Sequence, residues 1–531
     1  MSALCLLIVA LAARATPAPP PEEIKLPEAP RAVVDTAWPG KAVRTVQVPA
    51  GGDLQAALDD ARPGDEIVLA PGAVYRGPFR MAARPGDGWI VVRTGGLERV
   101  KKPGQRVGPE DAAAMARLEA ASGPVIAIAP GAHHYRLVGL EIAPAPATFL
   151  YELVAVGEAP RTAGAEAHHI IVEQCWLHGD PRKGTRRGIA LHSSYTAVID
   201  STLTDFKEVG ADSQAIAGWA GPGPYRIANN RLEAAGENVM FGGADPAMAG
   251  LVPADIEILG NHFAKPLAWK KDDREFEGTE WSVKNLFELK NARRVHVEGN
   301  LFERNWAHAQ NGFAILFTVR NQDGTAPWST VEDVRFERNV VRQSGSGVNI
   351  LGRDDAAPSG QASRLAIRQN LFTEIGEPRW GGAGILFQIL NGTQDVVIEN
   401  NTALHSGSLI MAEGEPHHGF ACRSNIAAHN QLGAVGTGTA PGQQTLRRYF
   451  PGCRMTGNVI AGGRSGDYPP GNFFPPSLEA VKFVDLRGHR YRLSEGSPFL
   501  KGEGGGSPGT DVAALCSALS PTDRPDTCDA R

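Results

Sequence analysis

Short apolar runs rich in β-branched residues recur along most of the chain, and they give the first structural prediction. In many of them the run leads into asparagine, another apolar residue and a turn. This pattern occupies residues 227–232, 256–263, 295–302, 334–341, 366–372, 397–403, 422–426 and 455–460. Runs of this length, bounded by turn residues, are typical of β-strands.

A second strand signal follows most of these runs. It occupies residues 188–192, 238–241, 285–289, 313–317, 347–351, 384–388 and 408–411. The repeated asparagines are 24 to 39 residues apart, a spacing that suits a constant core with loops of variable length. Two or three short strands per repeat, over about ten repeats, predict an all-β solenoid of stacked parallel coils. The asparagines are expected to form an internal ladder of amide hydrogen bonds between coils.

The start of the solenoid contains a different element. Residues 46–61 have the pattern of one strand and a short helix, with Leu54, Ala57, Leu58 and Ala61 on one helical face. A helix at this position would cap the first coil, whose open strand edge would otherwise promote aggregation.

Two segments carry a resemblance to a known superfamily. Residues 63–77 (PGDEIVLAPGAVYRG) resemble the first coil of pectate-lyase-like right-handed β-helix proteins, and residues 491–499 (YRLSEGSPF) are similar to their last-coil motif. The resemblance matches no single enzyme family. It implies a single-stranded right-handed parallel β-helix over residues 45–510, followed by a C-terminal tail at 511–531. It also implies that ligands lie in a groove along one parallel sheet.

The beginning of the chain indicates export. Residues 1–15 form a short apolar run that ends in Ala13-Arg14-Ala15, which resembles a secretory signal peptide and is too short to span a membrane. The alternative is a start codon assigned upstream of the true N-terminus. Residues 16–44 form a proline-rich lead-in. We therefore expect a secreted protein, extracellular or periplasmic, without a membrane span.

Charge and cysteine content narrow the possible partners. The formal net charge is −5 without a basic block, so the electrostatic signature of nucleic-acid binding is missing. Cysteine and histidine spacing fits no zinc site. Cys422–Cys453 and Cys516–Cys528 are plausible disulfides, although spacing leaves the pairing open. The oligomeric state is also open.

The second strand of each coil is the better candidate for the groove. If Phe287 and Leu289 point inward, alternation places Glu288 and Lys290 outward. Neighbouring coils add polar residues and loop tryptophans, whose rings can stack on sugars. The catalytic candidates are Lys290, Arg320, Glu288, Asp245 and Asp354. The substrate-binding candidates are Arg353, Asn349, Gln388, Asn321, Trp269, Trp281 and Trp328.

These residues support several functions on an extended polysaccharide, and the lysines and arginines among them suit an acidic one. A polysaccharide lyase needs a base and a cation that neutralises the forming enolate, and the basic candidates are Lys290, Arg320 and Arg353. A glycoside hydrolase would use two carboxyl groups, either Glu288 with Asp245 or Asp354 with Asp323. The lysine and arginine content favours the lyase. A non-catalytic glycan binder, an epimerase or an esterase shares the same scaffold.

No metal site and no cofactor are predicted from the residues themselves. Calcium is possible because it is common in lyases of the resembling fold, but Asp323, Asp354 and Asp355 are too few oxygen ligands to define a site. Three histidine pairs occur, at 133–134, 168–169 and 417–418. Adjacent residues of a strand point to opposite faces, so we expect no histidine metal site.

Overall fold

The computed structural model of the protein describes residues 23–96, 102, 104–500 and 506–528. The predicted signal peptide and the first part of the lead-in lie outside the described residues. The described α-helices are α1 (Leu54–Asp60), α2 (Gln443–Tyr449) and α3 (Val512–Ala518). No helix in the described part of the chain is long and apolar enough to cross a membrane.

Most of the chain forms short β-strands. The first half contains β1 (Arg44–Val48), β2 (Asp65–Leu69), β3 (Val74–Arg76), β4 (Phe79–Met81), β5 (Ile90–Thr94), β6 (Ala116–Ala120), β7 (Ile126–Ile128), β8 (His133–Val138), β9 (Leu140–Pro144), β10 (Glu152–Val156), β11 (Ala167–Glu173), β12 (Trp176–His178), β13 (Arg187–Leu191), β14 (Ser193–Ile199), β15 (Thr202–Phe206), β16 (Gln214–Gly218), β17 (Tyr225–Ala228), β18 (Arg231–Ala234), β19 (Glu237–Phe241), β20 (Ala254–Leu259) and β21 (His262–Ala264). The second half contains β22 (Phe287–Leu289), β23 (Ala292–Glu298), β24 (Leu301–Asn305), β25 (Phe313–Thr318), β26 (Val331–Glu337), β27 (Val340–Ser344), β28 (Ser346–Leu351), β29 (Ser363–Arg368), β30 (Leu371–Ile375), β31 (Phe387–Leu390), β32 (Gln394–Glu399), β33 (Thr402–His405), β34 (Ile410–Glu413), β35 (His418–Arg423), β36 (Ile426–Ala428), β37 (Ala434–Gly436), β38 (Arg454–Thr456), β39 (Val459–Ala461), β40 (Phe483–Asp485) and β41 (Arg490–Leu493).

The strands stack into three long parallel sheets. Within the described residues, sheet A has 14 strands (β1, then every third strand from β2 to β38), sheet B has 13 (every third from β3 to β39) and sheet C has 12 (every third from β4 to β37). This is the predicted right-handed parallel β-helix. The estimate of about ten coils is wrong, because the coils before β11 lack the asparagine pattern on which it rested. The structure has 12 to 14 coils.

Inward side chains of all three sheets form one continuous hydrophobic core. Phenylalanines from successive coils stack inside it: the ring centroids of Phe263 and Phe302 are 4.4 Å apart, and those of Phe302 and Phe336 are 5.7 Å apart. Each coil buries its apolar residues against its neighbours, so cohesion runs along the solenoid axis.

The predicted asparagine ladder is present at the corner between sheets A and B. The Asn339 Oδ1 accepts from the backbone N and the Nδ2 of Asn300, and its own Nδ2 donates to Val297 O and Asn370 Oδ1. The same bonds link the ladder members Asn230, Asn261, Asn300, Asn339, Asn370, Asn401, Asn425, Asn458 and Asn472. Ser201 takes this position in an earlier coil.

The predicted N-terminal cap is confirmed. Helix α1 begins after Asp53, whose side chain accepts from the backbone N of Ala56, and Leu54 and Leu58 are each buried against the first coils. At the opposite end, α2 packs Leu446 and Tyr449 onto the same core. Both ends of the hydrophobic core are therefore covered.

Both terminal segments run along the outside of the solenoid. Residues 23–43 follow sheet A, where the backbone N of Glu28 donates to Asp333 and that of Arg31 donates to Asp255. Residues 506–528 follow sheet B, where Leu515 and Leu519 pack into an apolar cluster on that sheet. The outer faces of sheets A and B thus carry the two terminal segments, whose contacts do not extend to sheet C.

The cysteines form one disulfide within the described residues, Cys516–Cys528. Cys422 and Cys453, the other plausible pair, are free thiols. Cys422 lies in β35 with its side chain in the core, beside the amide of Asn425.

Candidate functional site

The outer face of sheet C carries a row of side chains in register. Phe287 and Leu289 are fully buried in the core, so Glu288 points outward between them as alternation predicted. Pairing of successive strands aligns Met240, Glu288, Leu316, Asn349, Gln388 and Met411. The side chains of Asn349 and Gln388 bond directly, with Nδ2 and Oε1 2.6 Å apart.

A second polar row lies on the same sheet in the earlier coils. Strand register aligns Glu152, Arg187, Gln214 and Glu237. Arg187 donates to the Gln214 Oε1 at 2.8 Å, and the Gln214 Nε2 donates to the Glu237 Oε2 at 2.8 Å. None of these four residues is among the catalytic or substrate-binding candidates named from the sequence. The available signal was a polar residue two positions before the inward Val154, Ile189, Ile216 and Val239.

Glu237 is the most unusual ionisable group of this row. Its side chain is fully buried, and burial, then the charges of Asp212 and Glu288, raises its pKa to about 7. Its Oε1 has no hydrogen-bond partner but lies 3.6 Å from the Lys284 Nζ, which also contacts Asp212 at 2.5 Å. Burial alone would lower the pKa of Lys284, yet Glu237 and Asp212 outweigh it and raise that pKa. Lys284 therefore stays cationic above a carboxyl group that titrates near neutrality.

Glu288 and Lys290 form a similar pair on the next coil. Glu288 is 2% exposed, and its Oε1 lies 3.9 Å from the Lys290 Nζ and accepts a 3.3 Å hydrogen bond from Thr318. Its Oε2 is buried without a partner. The side chains of Lys284 and Lys290 are 18% and 15% exposed. Two ammonium groups thus reach the surface of sheet C, each held by a carboxylate beneath it.

An aromatic cleft of about 570 Å³ adjoins the first coils of the row. Tyr151 and Trp219 line it together with Glu152 and His192. Arg186 lies over the Tyr151 ring at 4.7 Å and Arg187 over the Trp219 ring at 5.0 Å. Burial raises the pKa of Glu152 and lowers that of His192 to about 4. Tyr151 is 62% exposed and offers a ring face for stacking.

Four other predicted site residues are brought together in a loop cluster, where they hold loops in place. Arg320 pairs with Asp354 at 3.0 Å and with Asp355. The Asp354 Oδ2 accepts from the backbone N of Asn321, and Asp245 accepts from the backbone of the 323–325 turn. Burial opposes the effect, but Asp355 and Asp354 raise the pKa of Arg320, so its guanidinium is charged and already neutralised. It is a poor base and a weak partner for a substrate anion.

The predicted tryptophans do not line the groove as expected. Trp269 and Trp281 are 3% and 7% exposed and pack with Trp306 in a separate apolar cluster. The Lys207 Nζ lies between them, 5.1 and 5.2 Å from their ring centroids. A sugar cannot reach rings buried in this way, so the stacking role is wrong for both. Trp328 is half-buried, and Arg353 is exposed beside the loop cluster.

Two groups of side chains in the described residues could hold a metal ion: His133 with His134 and His168, and His296 with Glu298 and Glu337. The expectation that adjacent histidines face opposite sides is wrong for the first group. His134 has a positive φ of 57°, which turns its side chain to the same side as that of His133. Asp354 and Asp355, the calcium candidates, are paired with Arg320 instead.

The fold defines a right-handed parallel β-helix protein, and sheet C carries polar side chains in register on its outer face. A solved structure with the same fold is the catalytic unit of a thermostable GH87 α-1,3-glucanase from Streptomyces thermodiastaticus strain HF3-3, with a TM-score of 0.52 and 12% identity over 84% of this chain and 72% of that one. The PL6 family alginate lyase AlyGC gives a TM-score of 0.49 and 16% identity over 80% of this chain and 53% of its own. The pectate lyase Pel9A gives 0.37 and 14% over 87% and 92%. No protein-family model and no curated protein matches the chain.

Proposed function

We propose that the protein is exported and acts on an extended acidic polysaccharide in the groove of sheet C, by β-elimination. The observation that carries the proposal is the pair of ammonium groups, Lys284 and Lys290, that reach the surface above the buried carboxyl groups of Glu237 and Glu288. Sheet C is also the face that the described terminal segments leave uncovered.

The groove suits a polymer because its side chains repeat at the spacing of parallel strands, about 4.8 Å. Arg187, Gln214 and Asn349 offer polar groups on successive coils, and the cleft at Tyr151 and Trp219 offers ring faces at one end. A chain of sugar rings that runs along the solenoid would meet both kinds of contact in turn.

Elimination from a uronate requires removal of the proton beside the carboxylate and neutralisation of the charge that develops there. In the proposed mechanism Lys284 neutralises the substrate carboxylate, since its own carboxylate partners keep it protonated. Lys290, as the neutral amine, removes that proton, and the glycosidic carbon–oxygen bond at the β position breaks. The ammonium ion formed on Lys290 then protonates the leaving oxygen. Glu288 and Glu237 act as positioning residues, because both lie below the lysines and are nearly inaccessible.

Glycoside hydrolysis is the second candidate, and one observation favours it. Glu237 has a pKa of about 7, and the nearby Glu288 is one of the groups that raise it. Hydrolases pair a protonated acid with a second carboxylate in this way. This mechanism needs the two lysines to move aside, since they lie above both acids.

The product distinguishes the two mechanisms. Purified protein is incubated with a panel of acidic and neutral polysaccharides, while ultraviolet absorbance of the unsaturated product and new reducing ends are both followed. The proposal expects absorbance to rise with at least one uronate polymer. Reducing ends without absorbance would support the hydrolase, and retained binding without either product would support a non-catalytic glycan binder.

Removal of either ammonium group is expected to reduce elimination strongly. Lys290→Ala and Lys284→Ala should each lower kcat by about 10²- to 10⁴-fold, the usual range for a lost base or charge-stabilising group. Lys25→Ala, an exposed lysine on the sheet A side, is the matched control and should keep full activity. Full activity in both groove variants would place the site elsewhere.

The aromatic cleft is expected to affect binding more than chemistry. Trp219→Ala and Tyr151→Ala should each raise KM by about 2- to 10-fold at nearly constant kcat, because an aromatic contact contributes about 0.5–1.5 kcal/mol. Tyr151→Phe keeps the ring face and should leave KM unchanged. An equal loss in Tyr151→Phe would show that the hydroxyl, and not stacking, carries the contact.

Calcium bound by the groove carboxylates would supply the same neutralising charge as Lys284. Activity measured after dialysis against a chelator separates the two sources of charge. We expect activity to be retained, because the lysines supply the cations. A loss that added Ca²⁺ restores would assign the neutralising role to the metal ion.

A further inference from the structure

Four histidines form a cluster where two successive coils enter sheet A. His133 and His134 begin β8, and His168 and His169 lie at the same positions of β11. The strand register pairs His133 with His168. The His133 and His168 rings stack at 4.7 Å and 5°, and the His134 and His169 rings stack at 4.5 Å and 10°.

The backbone of both coils is arranged to bring these rings together. His134 and His169 both adopt left-handed conformations, with φ of 57° and 54°. The same left-handed conformation recurs at the equivalent position of other sheet A strands, at Tyr195, Asp255, Arg294, Asp333, Arg364 and Asp395, so it is a regular feature of the coil. In the two histidine pairs it places the Nδ1 atoms of His133 and His134 2.8 Å apart, and those of His168 and His169 also 2.8 Å apart.

We propose that His133, His134 and His168 form a binding site for one divalent first-row transition-metal ion, with preference for Cu²⁺ and Ni²⁺. Ligand atoms of these three residues all lie within 4.8 Å of one another. The bound ion links β8 to β11 and so fastens two successive coils of the solenoid. This site lies on sheet A and is independent of the function proposed for sheet C.

The choice of metal follows from the donors and their separation. Imidazole nitrogen suits Cu²⁺, Ni²⁺ and Zn²⁺, whereas Ca²⁺ prefers oxygen. At metal–nitrogen distances of about 2.0–2.1 Å, neighbouring ligands are about 2.9 Å apart at a right angle and about 3.4 Å apart in a tetrahedron. The Nδ1 atoms of His133 and His134, at 2.8 Å, match the right-angled geometry of Cu²⁺ and Ni²⁺.

Calorimetric titration of the full-length protein, purified without a polyhistidine tag and stripped with chelator, tests the site. One equivalent of Cu²⁺ or Ni²⁺ should bind, and each should raise the Tm, because an ion that binds only the folded state stabilises it. Zn²⁺ should bind more weakly than Cu²⁺, and Ca²⁺ should have no effect. Absence of a saturable site for Cu²⁺ and Ni²⁺ would overturn the proposal.

The variant pair assigns the ligands. His133→Gln combined with His168→Gln should weaken Cu²⁺ binding by at least about 100-fold, since loss of outer-shell partners alone costs 10- to 100-fold. His418→Gln, an exposed histidine on the same sheet, should bind as the unaltered protein does. Electron paramagnetic resonance of the Cu²⁺-loaded unaltered protein should show at least three nitrogen ligands. Two results would contradict the assignment: fewer than two nitrogen ligands in the spectrum, or unchanged Cu²⁺ binding in the double variant. The second result would do so even if the double variant folded poorly.

Discussion

Asn339→Ala is expected to lower the free energy of unfolding by about 3–5 kcal/mol, because it leaves several buried groups without partners. The side chain of Asn339 makes four hydrogen bonds inside the solenoid. Its Oδ1 accepts two from Asn300, and its Nδ2 donates to Val297 O and Asn370 Oδ1. Alanine removes all four and leaves a gap in the ladder. The measurement is the denaturant midpoint and slope for the variant and the unaltered protein.

Two further substitutions control this prediction. Asn472→Ala removes the terminal, half-buried member of the ladder and should cost only about 1 kcal/mol, since water can replace its partners. Asn339→Ser should lie between the two, because Ser201 already accepts a backbone hydrogen bond at the same position of an earlier coil. A loss below about 1 kcal/mol for Asn339→Ala would show that packing alone holds the coils in register.

Glu237→Gln is expected to stabilise the protein relative to the unaltered protein, increasingly as pH rises from about 4.5 to 7. Burial raises the pKa of Glu237 from 4.5 to about 7 in the folded protein. A raised pKa means that this group contributes stability below about pH 4.5 and that the contribution is lost as pH rises through 7. This difference between the pKa values of the unfolded and folded states corresponds to about 3 kcal/mol of folding free energy. Glutamine has the same shape and no charge, so it avoids this loss.

The Tm of the variant and of the unaltered protein, measured from about pH 4 to about pH 8, tests the direction of this pH dependence. The Tm of the variant should rise relative to that of the unaltered protein between about pH 4.5 and 7, and the difference in Tm should then stay constant. Glu152→Gln is the comparison at the start of the same row, where burial also raises the pKa. A pH-independent difference for Glu237→Gln would mean that Lys284 fully compensates the buried charge.

The features of the fold that could be predicted are those that the residues of a single coil determine. Alternation placed Glu288 outward between Phe287 and Leu289, and strand register followed from the repeat. The recurring asparagines predicted the ladder, since each one occupies the same corner of its coil. The number of coils was underestimated because the coils before β11 lack the asparagine pattern on which the estimate rested.

The features that sequence did not predict depend on contacts between distant residues or on single backbone angles. Glu237 lies 3.6 Å from Lys284, which also pairs with Asp212, and both of these residues come from other coils. Trp269 and Trp281 looked like groove residues because they lie in a long charged loop, but the loop folds onto Lys207. No periodicity shows that one histidine of a pair turns to positive φ.

A crystal structure with a bound uronate oligosaccharide would show which sheet holds the polymer. We expect sugar rings along the outside of sheet C, with a carboxylate within hydrogen-bond distance of the Lys284 or Lys290 ammonium group. Sugar bound instead along sheet A or sheet B, or bound on sheet C away from both lysines, would contradict this expectation.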